Sequence, residues 1–242
     1  MVSHGHGAQV EQLLRDVNRW ADARLKKVII TVNAPTLDAG FFRYQVRDFP
    51  FALSVIQNSQ PRGFGANHNR AFQQREGDSF FVMNPDLELP ENPFPALLTA
   101  LSNNTTGCAY PIQISPGGER QDFERMLPTP AAILKRRLSP ASDVLPTSAY
   151  AQWISGSFMA FDSAAYRSIA GFDERYFMYC EDVDVCLRLQ LAGYRLARAD
   201  TTVIHHAQRQ SLKNFRHLAW HVRSLLRLWN SASYKAFRLK YP

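Results

Sequence analysis

Between Gly171 and Asp184 the chain reads Gly-Phe-Asp-Glu-Arg-Tyr-Phe-Met-Tyr-Cys-Glu-Asp-Val-Asp, so five carboxylates crowd an aromatic patch and the last three enter a helix. Carboxylates pressed against rings and against one another have their proton affinities pushed apart, which is how one of them becomes a usable base near neutral pH. Helix chemistry explains part of the run. Acidic residues favour a first helical turn, and Asp184 stands one turn before Arg188. It does not explain why Glu181 and Asp182 follow Tyr176-Phe-Met-Tyr179 directly. The run reads as the catalytic end of an enzyme.

Two other places carry chemistry. Asn84-Pro-Asp86 follows an apolar strand, and ligands of open α/β sheets gather beyond the carboxyl ends of strands. A carboxylate there can bind a divalent cation that neutralises a diphosphate, although Asn-Pro-Asp is also ordinary turn chemistry. His205-His206 closes a later apolar strand. Adjacent strand residues point to opposite faces, so only one of them can look into a given site, as a metal ligand or as a structural histidine.

The elements that must position these residues alternate. Val10, Leu13, Leu14, Val17 and Trp20 recur at helical spacing, and Val28 to Val32 is β-branched and short enough for a buried strand. Phe51 to Ile56 and Ser79 to Met83 read as further strands, with a helix from Asn67 to Gln74 between them, entered through Gly63-Phe-Gly65. This order predicts an α/β fold with a mostly parallel central sheet flanked by helices. Only the end of a first strand is visible, at Met1-Val-Ser3. From 115 to 148 the prolines 128, 130, 140 and 146 and the basic cluster Lys135-Arg136-Arg137 break the pattern, which predicts a long mobile loop over a substrate. Ala151 to Phe161 is expected to be one strand, followed by a short helix to Ile169, a helix from Glu181 to Leu191 and strands at Tyr194 to Ala197 and Thr202 to His205.

A chain of 242 residues that is 45% hydrophobic fits one large domain with an appendage. No apolar run is long enough to span a bilayer, and Met1 to Gly7 lacks the features of a signal peptide, so a cytoplasmic location is expected. Cys108, Cys180 and Cys186 show neither disulfide nor zinc spacing and read as reduced thiols. The net charge of +7 is concentrated late, since no acidic residue follows Asp200 while Arg209, Lys213, Arg216, Arg223, Arg227, Lys235, Arg238 and Lys240 do. Such a segment seeks phosphates of nucleic acid or of anionic lipid, and composition does not choose. Phe215, Leu218, Ala219, Val222, Leu225, Leu226 and Trp229 form an apolar stripe at helical spacing, which either packs on the domain or meets a membrane.

Gly63-Phe-Gly-Ala-Asn-His-Asn69, Asn84-Pro-Asp86, Trp153-Ile-Ser-Gly-Ser-Phe-Met159, the Gly171 to Asp184 run and Val203-Ile-His-His206 together resemble the ordered motifs of family 2 glycosyltransferases, in particular the bacterial rhamnosyltransferase-like branch. The resemblance covers nearly the whole chain. It implies a GT-A fold over residues 1–207 with a basic amphipathic helix and tail over 208–242. It further implies a nucleotide-diphosphate sugar donor, a divalent cation (Mg2+ or Mn2+) and inversion at the anomeric carbon.

By position, Asp182 matches the general base and Glu181 its neighbour. Asp86 matches the last residue of the family's Asp-X-Asp motif, with Asn84 in place of the first aspartate, and His205 matches a late metal-binding histidine. Arg62, Gly63 and Asn69 fall beside the donor, and Trp153, Ser155 and Gly156 border the acceptor. Where relatives often use an aspartate to hold the nucleobase, this chain reads Thr31-Val-Asn-Ala-Pro35, leaving Asn33 and groups near Ser3 and His4 to substitute. The branch points to dTDP-rhamnose as donor. It also points to a glycan or lipid-linked acceptor in surface polysaccharide (O-antigen or capsule) synthesis; for a lipid-linked acceptor, the striped basic tail predicts peripheral contact at the inner face of the bacterial inner membrane. The alternative is a catalytically inactive sugar-nucleotide binding protein of the same fold. A nucleic-acid partner ranks last, because no reader motif accompanies the basic tail.

Overall fold

Val28, Ile29, Ile30 and Val32 are β-branched and lie in a strand covered on both faces, β2 (Lys27–Val32). It pairs in parallel with β1 (Val2–Ser3) on one side and with β3 (Ala52–Gln57) on the other. The computed structural model describes residues 1–34, 49–133, 151–206 and 215–241. Helix α1 (Gly7–Trp20) joins β1 to β2 and buries Val10, Leu13, Leu14 and Val17, the helical stripe read from the sequence. Helix α2 (Phe64–Phe72) joins β3 to β4 (Ser79–Met83) and begins three residues before the expected Asn67.

A second sheet is ordered β4-β9-β6-β10-β5, with β5 at Leu87–Glu88, β6 at Thr106–Ile114, β9 at Phe158–Asp162 and β10 at Arg195–His205. Within it β6 and β10 run parallel, while β4, β9 and β5 run antiparallel to their neighbours, so the parallel character is strongest in the first half of the chain. Helix α3 (Phe94–Leu101) lies between β5 and β6. Alternate strand residues enter different cores. Val82, Cys108, Met159 and Phe161 join one core with Phe72 of α2, and Met83, Ala109, Phe158 and Ala160 join another with α1 and α3. That alternation places helices on both faces of the sheet, as predicted.

The expected strand from Ala151 to Phe161 is interrupted. It divides into β8 (Trp153–Ile154) and β9, with Ser155-Gly156-Ser157 turning between them. The two segments expected at Tyr194 and Thr202 are instead the single strand β10, irregular in register between Arg198 and Thr202. The first part of the supposed mobile loop is anchored: β7 (Glu124–Arg125) pairs antiparallel with β8, and Phe123 is buried. Tyr110 Oη donates to Glu124 at 2.8 Å, and Arg120 and Arg198 pair with the same carboxylate. Residues 134–150, with Lys135-Arg136-Arg137, and residues 207–214, with Arg209 and Lys213, lie outside the described residues.

The chain continues through α4 (Ser163–Ser168) and α5 (Glu181–Leu191), the latter with the predicted limits. Two C-terminal helices follow, α6 (Phe215–Asn230) and α7 (Ala232–Lys240). Asp184 bonds Arg188 at 2.7 Å as its spacing foretold, and also accepts from Ser233 Oγ at 2.8 Å, fastening α7 to α5. The cysteines are all buried and free. No helix among the described residues is long and apolar enough to cross a membrane.

Candidate active site

Helix α5 starts from a strained backbone. Tyr179 and Cys180, both non-glycine, hold φ of 71° and 65°, a left-handed conformation that costs about 1–3 kcal/mol per residue and persists only where the surroundings impose it. The surroundings here are the Tyr176–Cys180 segment and its neighbours: Gly63 lies so close that a Cβ would stand 2.8 Å from Tyr176 O, and Phe64 N donates to Phe177 O at 3.0 Å. Gly63 is therefore a packing residue beneath this segment, at a position the resemblance places beside the donor. Asn69 is equally committed: its Oδ1 accepts from Tyr166 Oη and Phe172 N, and its Nδ2 donates to Phe172 O and Glu174.

The strained turn delivers two unlike carboxylates. Glu181 is 5% exposed, and its Oε2 is buried with no hydrogen-bond partner among the described residues. Burial, reinforced by the charge of Asp182, pushes its carboxyl up to about 8. Asp182 retains partial exposure. Its Oδ2 accepts from Gly156 N at 3.2 Å and its Oδ1 from Val183 N at 2.9 Å. Burial raises its proton affinity too, while the two amides and the charge of Arg125 oppose the rise. Of the pair, Asp182 is the carboxylate that can be reached and that backbone amides stabilise in its charged form.

Residues 155–157 connect Asp182 to the Asn84-Pro-Asp86 loop, because Gly156 binds Asp182 and Ser157 O accepts from Asn84 N at 2.8 Å. Ser157 Oγ in turn donates to the buried Gln113 at 2.8 Å and lies 3.2 Å from Ser155 Oγ. Trp153 is buried and donates its ring N–H to Met126 O at 2.7 Å, with the Arg125 guanidinium 5.0 Å from its ring centre. Its polar edge is thus spent within the fold. Arg125 was not singled out in the sequence, since nothing there showed that β7 would bring it to Trp153.

Asp86 and His205 meet because β5 pairs with β10, setting Leu87 opposite His205, while His206 N donates to Asp86 O at 2.9 Å. Gln121 fixes the histidine. Its Nε2 donates to His205 O at 2.7 Å, so its Oε1 is the atom 2.9 Å from His205 Nδ1 and that nitrogen carries the proton. His205 Nε2 lies 3.5 Å from Asp86 Oδ2, and Asp86 Oδ1 is buried without a hydrogen-bond partner among the described residues. A free buried carboxylate oxygen beside an imidazole nitrogen fits a cation, and the Gln121 bond supplies the outer partner that orients a ligating histidine. His206 faces away, 3.2 Å from Glu88 on the surface. Among the described residues no third His, Cys, Asp or Glu joins the pair, so phosphate and water oxygens would have to complete a shell.

Just past the end of β2, Asn33 is 0% exposed. Its Oδ1 accepts from Asn58 Nδ2 and Arg62 N, and its Nδ2 donates to Arg62 O and lies 3.2 Å from the His4 ring. A buried amide with its capacity filled positions its neighbours and does not itself reach a ligand. Asn58 also donates to Asn67 Oδ1 and accepts from Arg70, making an asparagine junction that the sequence did not reveal. Ser3 is buried, its Oγ accepting from His6 N at 3.2 Å. The side chains left facing outward are those of His4 and Arg62.

The glycosyl transferase family 2 model matches residues 1–164, and a model described as the N-terminal domain of galactosyltransferase matches residues 136–217. The chain is 28% identical to the rhamnosyltransferase WbbL of Escherichia coli (strain K12), over 94% of this chain and 90% of that one. It is also 28% identical to the N-acetylglucosaminyl-diphospho-decaprenol L-rhamnosyltransferase of Mycobacterium tuberculosis (strain ATCC 25618 / H37Rv), over 92% and 80%. In fold it is similar to the mannosyltransferase PcManGT of Pyrobaculum calidifontis, solved with GDP-Man and Mn2+, with a TM-score of 0.64 at 16% identity over 93% of this chain and 62% of that one. The TarS 1–349 structure of S. aureus with UDP-GlcNAc gives a TM-score of 0.64 at 12% identity, over 96% and 66%. The architecture is the GT-A fold, and the chain belongs to glycosyl transferase family 2.

Proposed function

We propose that this chain transfers a sugar, rhamnose being favoured, from a nucleotide-diphosphate donor to a hydroxyl of a lipid-linked or other glycan acceptor, with inversion at the anomeric carbon. The observation that carries the reading is the Asp182 carboxylate, half-buried and held by two backbone amides beside the turn that leads to Asp86. Asp182 takes the proton of the acceptor hydroxyl as its oxygen attacks the anomeric carbon from the face opposite the diphosphate, and the nucleotide diphosphate departs. Glu181, kept neutral by its burial, leaves Asp182 as the charged member of the pair. A base so placed contributes about 100 to 10,000-fold.

Asp86 and His205 would hold a divalent cation, which when bound neutralises charge on the diphosphate. The exposed guanidinium of Arg62 is set at the entry to α2, its backbone gripped by Asn33 and Asn67, and is suited to the donor phosphates. The similarity to an N-acetylglucosaminyl-diphospho-decaprenol L-rhamnosyltransferase supports an acceptor sugar carried on a lipid diphosphate, and with it a role in bacterial surface polysaccharide assembly.

The test is incubation of the purified chain with a panel of nucleotide sugars, Mn2+ and a short alkyl-diphosphate sugar acceptor, with the product's anomeric configuration read by NMR. Turnover with dTDP-rhamnose and inversion is expected. A retained configuration rejects the single-displacement mechanism, and donor binding without transfer or hydrolysis favours a pure sugar-nucleotide binder.

A further inference from the structure

Helix α6 has two unlike sides. Inward, Ser224 Oγ donates to Met178 O at 2.8 Å, Trp220 lies 4.8 Å from the Phe177 ring, Tyr179 Oη lies 2.8 Å from His217 Nδ1, and Leu228 is fully buried. Leu225 and Trp229, two members of the stripe read from the sequence, pack against the core, and Trp229 donates its ring N–H to Pro128 O at 2.7 Å. Outward, Phe215, Leu218, Val222 and Leu226 are 92%, 40%, 49% and 52% exposed. Their spacing puts them along one line of the helix.

Leu226 also lines a cleft of about 440 Å³ with Arg175, Arg223, Arg227, Asn230 and Ser231. Arg175 is paired with Asp173 and Arg227 lies 5.9 Å from the Tyr176 ring centre, so both guanidinium groups are held in place. The uncovered apolar line therefore runs straight into a cleft walled by three arginines. Neither half is explained by the transfer chemistry.

We infer that the outer face of α6 docks on an anionic lipid bilayer, with Phe215, Leu218, Val222 and Leu226 entering the headgroup boundary and the arginine cleft taking a lipid phosphate. Charge complementarity selects this occupant. In a twofold pairing of two copies the same patch meets itself, which sets Arg223 and Arg227 against their copies in a segment that has no acidic residue after Asp200. A soluble anion would account for the cleft and leave the apolar line uncovered. Phosphate bound among arginines beside buried aliphatic side chains is what a phospholipid surface offers.

The inference goes beyond the transfer reading and is tested without turnover. The full chain is floated with vesicles of phosphatidylcholine alone or with phosphatidylglycerol added. Retention on the anionic vesicles, weakened by salt, is expected. Val222→Asp combined with Leu226→Asp should lower partition by more than about tenfold, as loss of two buried aliphatic groups predicts, and Arg223→Ala by about fivefold, as loss of one charge at the surface predicts. These side chains are exposed, so circular dichroism and melting should match the parent and a soluble acceptor should still be glycosylated. Equal retention of parent and variants, or no retention of either, overturns the inference. So does a dimer in sedimentation that the aspartate pair abolishes, or a thermal shift with inorganic phosphate alone equal to that with anionic vesicles.

Discussion

Gly156 donates its backbone N–H to Asp182 Oδ2 at 3.2 Å, and a Cβ built on that glycine would stand 3.3 Å from Asp182 Cβ. A side chain there would press on Asp182, which would have to give by a few tenths of an ångström. Gly156→Ala should therefore shift Asp182 slightly and lower kcat by about 2 to 10-fold, since misplacement of about 1 Å costs about 100-fold. Asp182→Asn should remove about 100 to 10,000-fold while sparing donor affinity. Steady-state kinetics beside donor titration checks both, and retained turnover in Asp182→Asn would reject its role as base.

The buried Glu181 makes stability fall as pH rises. Its folded-state pKa, about 8, lies above the ordinary 4.5, so the native protein binds the proton more tightly than the unfolded chain. Stability contributed by the protonated form is complete below about 4.5 and is lost progressively between about 4.5 and about 8. Asp182, also raised, adds to the same slope. Glu181→Gln should flatten the melting temperature across this window, its advantage over the parent growing toward pH 8. A parallel pair of curves would count against a buried, protonated Glu181.

Asp86→Ala and His205→Ala should each abolish cation-dependent donor binding measured by calorimetry with Mn2+. Gln121→Leu leaves both candidate ligands in place yet frees the ring, and loss of such an outer partner typically weakens metal affinity about 10 to 100-fold. Unchanged cation dependence in all three variants would remove the cation from the Asp86–His205 pair.

Asn58→Ala deletes the junction that joins Asn33, Asn67 and Arg70. Unpaired buried amide groups cost about 1–3 kcal/mol each, so a loss of about 3 kcal/mol is expected, or roughly 6–12 °C in melting temperature for a chain of this size. Denaturant titration should show the loss without a change of slope.

The features legible in the sequence were those with a period or a local rule. The stripe of α1, the β-branched run of β2, the acidic start of α5 and the Asp184–Arg188 pair all follow from neighbours within a few residues. What escaped depends on distant pairing. A strand of two residues such as β5 has no period, yet its pairing with β10 is what brings Asp86 to His205. Gln121 sits in a stretch whose turn residues suggested a loop, and its value appears only when β6 and β10 lie side by side. Asn33 and Asn69 occupy motif positions, but their amides turn inward because the backbone around them has donors and acceptors to satisfy.

A single helix, about 10–12 Å across with its side chains, is all that separates the exposed line of α6 from the Tyr176–Cys180 segment against which its inner side rests. With that outer line seated on lipid, the Tyr176–Cys180 segment would lie about one helix diameter from the headgroups, and Glu181 and Asp182, which follow it directly in the chain, would be carried close to the membrane surface.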